Sequence, residues 1–228
     1  MTLKAVLFDV DFTLVRPGPE LGPEGYVRVA CRHGLELDGS RYADARARAL
    51  ETLRRDPELR HDEEIWIAFT ERIVRGMGGD SDRAREVAVE IERAWERSEN
   101  FALYEDVLPV LEELRRHDLK IGLVSNGARN IDEFVAHHEL GVDAAVGSRS
   151  HGKVKPDPSI FRAALERLGV KPGEAVMVGD TLEDDIEGAR AVGIRALLID
   201  REARYPDVDE RLTDLYALLV ALGIRGRA

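Results

Sequence analysis

The chain has 228 residues, a formal net charge of -11, 44% hydrophobic residues and 34% charged residues. That length suits one large domain or a core with a smaller second unit, and the apolar share can fill a sizeable core. The acidic balance argues against a nucleic-acid partner, because phosphate backbones select basic surfaces, but small phosphorylated molecules need only a local positive site.

The apolar run Ala5 to Phe8 is too short for a signal peptide, ends in Asp9 and lacks a small-residue cleavage site. It reads instead as a first strand, apolar at every position. Residues 17 to 23 are rich in Pro and Gly and read as a linker. From Arg16 to Asn100 no convincing strand follows. Ile65, Phe69, Ile73 and Met77 share one helical face, and Val87, Ile91, Ala94 and Trp95 share another, so this stretch predicts a small helical bundle inserted after the first strand. The single cysteine, Cys31, lies in one of its helical patterns and is expected to be a buried structural thiol. A lone cysteine permits no intrachain disulfide, which fits a reducing, cytoplasmic setting.

Val107, Leu108, Leu111 and Leu114 then recur at helix spacing before a second apolar run, Ile121 to Val124. Residues 143 to 147 form a weaker strand candidate. Ile160, Phe161, Ala164 and Leu168 mark another helix, followed by the apolar runs Ala175 to Val178 and Ala196 to Ile199. A last helix is expected near Leu212 to Leu222. Strand-length runs that are apolar throughout are covered on both faces, so alternation with helices predicts an α/β core with a parallel sheet and right-handed crossovers. No stretch approaches the length of a membrane span.

The polar residues that carry chemistry follow the strands directly. The first strand ends in Asp9-Val10-Asp11-Phe12-Thr13, the second in Ser125-Asn126-Gly127, and a later one in Gly179-Asp180, with Asp184 and Asp185 close behind. Ligand crevices of open parallel sheets lie at the carboxyl ends of the strands, so these groups are expected to converge. Asp9, Asp11, Asp180, Asp184 and Asp185 would bring up to five carboxylates together, which is costly without a counterion. A hard divalent cation with oxygen ligands suits them, and magnesium commonly binds through one or two carboxylates plus a substrate phosphate. Lys153 and Lys155 add positive charge in a chain otherwise poor in lysine.

Taken together, these segments resemble the haloacid dehalogenase superfamily. Asp9-Val10-Asp11-Phe12-Thr13-Leu14 matches its first motif, Ser125-Asn126-Gly127 its second, Lys155 with Pro156-Asp157-Pro158 its third, and Gly179-Asp180 through Asp185-Ile186 its fourth. One departure is Phe12, where Gly is most usual. The resemblance implies a Rossmann-like three-layer core, residues 1–15 and 101–228, with a small α-helical cap domain at 16–100. It implies a magnesium-dependent phosphatase acting on a small phosphorylated substrate. Asp9 would be the nucleophile that forms an aspartyl-phosphate, and Asp11 the general acid/base whose backbone carbonyl also binds the metal. Asp180 would be a direct metal ligand, and Asp185 a ligand or the holder of a metal-bound water. Ser125 and the backbone amides of Asn126 and Gly127 would hold phosphoryl oxygens, and Lys155 would offset the charge on Asp9 and phosphate.

Other chemistries are open to this superfamily. Dehalogenation has no alkoxide to protonate and needs neither Asp11 nor Asp180. A Schiff-base mechanism needs a cap lysine, and residues 16–100 contain none. A phosphosugar mutase would use the same four motifs, and a non-catalytic phosphate-binding module would retain the fold alone. Arg16, His61, Glu64 and Trp66 are candidates to read the rest of the substrate, although Trp66 also suits helix packing. His33, His117, His137, His138 and His151 show no metal-ligand spacing. A monomer or homodimer without nucleic acid or membrane partners is expected.

Overall fold

The computed structural model describes residues 2–54, 63–127, 129–208 and 211–224. The chain divides into two compact units, Met1–Arg16 with Ala102–Ala228, and Pro17–Phe101. It opens with β1 (Ala5–Phe8), every residue of which is buried, and a short β2 (Val15–Pro17).

The second unit is helical: α1 (Pro23–Arg32), α2 (Tyr42–Arg54), α3 (Glu63–Gly76) and α4 (Ala84–Trp95). Its core gathers Tyr26, Val29 and Ala30 of α1 with Phe69, Ile73, Val74 and Met77 from α3 and its C-terminal turn, and Val87 and Ile91 of α4. Cys31 is exposed, which corrects its expected burial. The buried residues of α1 follow the helical spacing 26, 29, 30, and position 31 falls off that face. Close approach requires a glycine at 25, where a Cβ would sit 1.8 Å from the carbonyl oxygen of Glu20. Trp66 is 40% exposed and meets Phe69 edge-on at 5.8 Å, so it is only partly a packing residue. Glu64 is exposed and pairs with Arg85 at 2.5 Å. His61 lies outside the described residues.

The chain returns through β3 (Phe101–Leu103), which pairs with β2, and then builds the sheet. In order come α5 (Val107–Arg116), β4 (Lys120–Ser125), α6 (Ile131–His137), β5 (Ala144–Gly147), α7 (Ser148–His151) and α8 (Pro158–Leu168). They are followed by β6 (Ala175–Gly179), α9 (Gly188–Ala191), β7 (Arg195–Ile199), β8 (Arg211–Leu212) and α10 (Leu215–Ala221). The sheet has six strands in the order β5-β4-β1-β6-β7-β8. Its pairings are all parallel, with Phe8 opposite Leu123 on one side and Val178 on the other. This is an α/β, Rossmann-like architecture.

Side chains alternate across the sheet. Ala5 and Leu7 join Met177 and Leu198 in one cluster with Ile160, Phe161, Ala164 and Leu165 of α8 and Ala189 of α9. Val6 and Phe8 are equally buried and belong to the opposite face. Asp157 caps α8 by accepting from the Ser159 amide, Pro158 opens the helix, and Gly169 closes it in the left-handed conformation. Leu108 is 52% exposed, so the buried face of α5 is Val107, Val110, Leu111 and Leu114, with Val110 in the place expected for Leu108. Among the described residues, no helix is long and apolar enough to cross a membrane.

Candidate active site

Three neighbouring strands end on the same side of the sheet, β1 at Phe8, β4 at Ser125 and β6 at Gly179, and each hands its next residues to that end. After β1 the chain turns tightly, with the Leu14 amide donating to the Val10 carbonyl at 2.8 Å and the Phe12 amide to the Val15 carbonyl at 2.7 Å. Phe12 has φ +62°, a conformation that disfavours a side chain and suits the glycine most usual in the motif. Thr13 inside the turn is fully buried, and its carbonyl accepts from Arg201 Nε at 3.1 Å and Nη2 at 3.0 Å. Arg201 also pairs with buried Asp106 at 2.9 Å, which ties this turn to the chain beyond β7.

Asp9 is buried at the end of β1, and its Oδ1 accepts from Lys155 Nζ at 2.6 Å. Lys155 is buried too and donates to Asp185 Oδ1 at 2.7 Å. Asn126 sets the lysine: its Oδ1 accepts from the Lys155 amide at 2.7 Å and its Nδ2 donates to the Lys155 carbonyl at 3.0 Å. Asp185 Oδ2 accepts from the Thr181 amide at 3.0 Å and hydroxyl at 2.6 Å. Gly179 makes room for this, because a Cβ there would lie 2.3 Å from Asp185 Cγ. Lys153 does not share the site; it is exposed, and its charge acts on Asp157 instead. Asp184 is half-buried.

Burial raises the Asp9 pKa well above the ordinary carboxylate range, against the lowering effect of Lys155. Burial also pushes Asp180 up to about 6, with the Asp185 charge adding to it and Arg204 opposing. Burial alone would lower the Lys155 pKa, but Asp185 and Asp9 outweigh it and hold the ammonium charged. Asp9, Asp180 and Asp185 each offer an oxygen within 4.8 Å of the others. Asp9 Oδ2 is buried with no hydrogen-bond partner among the described residues. An unengaged buried carboxylate oxygen beside two further carboxylates fits a hard divalent cation with oxygen ligands.

Several contacts had no distinguishing mark in the sequence. Arg129 Nη2 donates to both oxygens of Asp11, at 2.8 and 3.2 Å, and its guanidinium stacks over Phe134 at 5.2 Å. Arg204 Nη2 donates to Asp180 Oδ2 at 2.5 Å and to the Asp180 carbonyl at 3.1 Å. The Gly127 amide donates to Ser148 Oγ at 3.0 Å, so that hydroxyl props the loop after β4. Ser125 is buried at the end of β4.

Residues 3–193 match the family model of haloacid dehalogenase-like hydrolases. A glyceraldehyde 3-phosphate phosphatase from Methanopyrus kandleri is 33% identical over 219 residues, covering 93% of this chain and 90% of that protein. The crystal structure of a phosphatase of the same family from Thermococcus onnurineus superposes with TM-score 0.63 at 30% identity, covering 97% and 98% of the two chains. A 2-haloacid dehalogenase from Pseudomonas syringae gives TM-score 0.62 at 26% identity, over 97% and 99%. With its motifs gathered at one end of the sheet and its similarity running almost end to end, the chain belongs to the haloacid dehalogenase-like hydrolases and is an enzyme of the phosphatase type.

Proposed function

We propose that the chain is a magnesium-dependent phosphatase that hydrolyses a small phosphorylated metabolite through an aspartyl-phosphate on Asp9. The observation that carries this reading is the state of Asp9: one oxygen is fixed by Lys155 and the other is buried and unengaged. Asp9, Asp180 and Asp185, with the Asp11 carbonyl, would hold the ion, whose charge offsets that of the phosphoryl oxygens. One carboxylate oxygen of Asp9 attacks phosphorus, the other staying toward the ion, while the bond from phosphorus to the leaving oxygen breaks, and Asp11 delivers a proton to that leaving oxygen. In the second half Asp11 accepts a proton from water as the water oxygen attacks phosphorus, which frees Asp9 and inorganic phosphate. The Ser125 hydroxyl and the backbone amides of Asn126 and Gly127 hold phosphoryl oxygens, the Gly127 amide giving up its bond to Ser148 Oγ to do so, and Lys155 lets one anion approach another by offsetting the Asp9 charge.

An acid/base at Asp11 favours a phosphate ester over a carbon–halogen bond, because halide leaves without a proton. The helical unit, Pro17–Phe101, acts as a cap that reads the leaving group and excludes water during the reaction. The phosphatase from Methanopyrus kandleri makes glyceraldehyde 3-phosphate the first substrate to assay. The test is phosphate release from a panel of phosphorylated metabolites, with Mg2+ and with excess chelator. Activity only with Mg2+ supports the assignment, and undiminished turnover in chelator overturns it.

A further inference from the structure

Arg204 belongs to none of the four motifs, yet it meets the site more closely than its distance in sequence suggests. The chain beyond β7 is shaped by Asp200, which is 3% exposed. Its Oδ1 accepts from the Arg204 amide at 2.7 Å and its Oδ2 from the Tyr205 amide at 2.9 Å. This anchored turn sends the guanidinium of Arg204 to the Oδ2 and the carbonyl of Asp180. The arm also lies against the Tyr205 ring, 5.5 Å from its centroid. The backbone that carries the contact is thus fixed by the fold, while the Arg204 side chain itself is 38% exposed.

Asp180 is also one of the three carboxylates that gather within 4.8 Å. Among the described residues two cations touch that trio: Lys155 on Asp9 and Asp185, and Arg204 on Asp180. With the carboxylates ionised, three negative charges meet two positive ones. A divalent ion turns that excess of one negative charge into an excess of one positive charge, ready for a phosphate dianion. Without Arg204 the loaded trio would be neutral.

We propose that Arg204 is a charge-tuning residue of the metal site. It weakens the hold of Asp180 on the divalent ion and, by the same charge, strengthens the hold of the loaded site on phosphate. The inference rests on the metal reading given above. A full positive charge beside a metal ligand repels the cation and attracts the anion, so the two affinities must move in opposite directions when the charge is removed. A merely structural role would weaken both together.

The test is calorimetric and needs no turnover. The metal-free full chain is titrated with Mg2+, and the Mg2+-saturated chain with inorganic phosphate. In R204Q, Mg2+ should bind about fivefold or more tightly and phosphate about fivefold or more weakly, the scale of one unit charge at close range in a solvated site. R204K keeps the charge, so both of its constants should stay within about twofold of the wild type. Unchanged or weaker Mg2+ binding in R204Q overturns the inference, as does R204K behaving like R204Q. A wild-type chain that binds no Mg2+ overturns the metal assignment itself, and this inference with it.

Discussion

Lys155 and Asp9 lie 146 residues apart in the chain and meet at 2.6 Å in its interior, with Asp185 accepting from the same ammonium at 2.7 Å. The lysine is the shared counterion of two carboxylates that arrive from different strands. Neither acid has an exposed route to solvent charge, since Asp9 is 6% and Asp185 0% exposed. Removing the ammonium therefore leaves two buried anions facing each other.

Lys155→Met tests this dependence. Breaking a buried pair by deleting one partner costs about 3–5 kcal/mol, because the remaining charge has lost its compensation. Urea unfolding in chelator should show a loss of that order, and phosphatase activity should fall to background. A variant as stable as the wild type would mean that the acids find another counterion and that Lys155 is not what holds them.

Arg129 bears on Asp11 in a comparable way, although Asp11 is half-buried. Its guanidinium fixes where the Asp11 carboxylate points. Arg129→Met should therefore lower kcat on alkyl phosphates by about tenfold, a fraction of the usual scale of proton-transfer catalysis. Aryl phosphates, whose leaving groups need little protonation, should suffer less in the first step. Equal losses on both, carried in KM, would show that Arg129 binds phosphate and does not position Asp11.

The Asp180 carboxyl, pushed up to about 6, predicts how metal binding depends on pH. The group is raised, so the fold favours its protonated form. In the metal-free chain its contribution to stability is present at low pH and is lost as pH rises through about 6. Metal binding needs the ionised form, so Mg2+ affinity should decline below pH about 6 with proton release on binding. Calorimetry in buffers of different ionisation enthalpy measures that release. Affinity that is flat across this range would count against Asp180 as a ligand.

Much of the fold was legible in the sequence for a plain reason. Residues such as Ala5 to Phe8 and Ala175 to Val178 are covered on both sheet faces, and burial on both faces leaves a strand-length run with no polar position. The motif acids were legible because Asp9 and Asp180 follow such runs directly and Asp11 and Asp185 come within a few residues of them. Cys31 was not, because burial on α1 depends on which face turns inward, and a small apolar-tolerant residue gives no vote. Arg129 and Arg204 were hidden by abundance: in an arginine-rich chain no local pattern separates an arm that reaches a carboxylate in the site from one that ends in solvent. The fork in the fate of Lys153 and Lys155 is similar. They are two residues apart, and it is the Lys155 backbone that Asn126 holds and the Lys155 ammonium that meets Asp9 and Asp185.

The two acids of the first motif can be told apart by what accumulates. Asp9→Asn replaces the attacking oxygen with a weakly nucleophilic amide and removes the anion that Lys155 holds, so turnover should fall to background and no phosphoenzyme should form. Asp11→Asn leaves Asp9 and its lysine untouched. On an alkyl phosphate it should lose about 10² to 10⁴ in kcat, because the leaving oxygen departs unprotonated. On an aryl phosphate the first step survives better, but no carboxylate remains at position 11 to activate water. Asp11→Asn should then give a rapid burst of phenol followed by slow turnover, with phosphate bound covalently to the protein after acid quench. Phosphoenzyme in Asp9→Asn and none in Asp11→Asn would exchange the two roles. Absence of phosphoenzyme from both variants and from rapidly quenched wild type would remove the covalent route altogether.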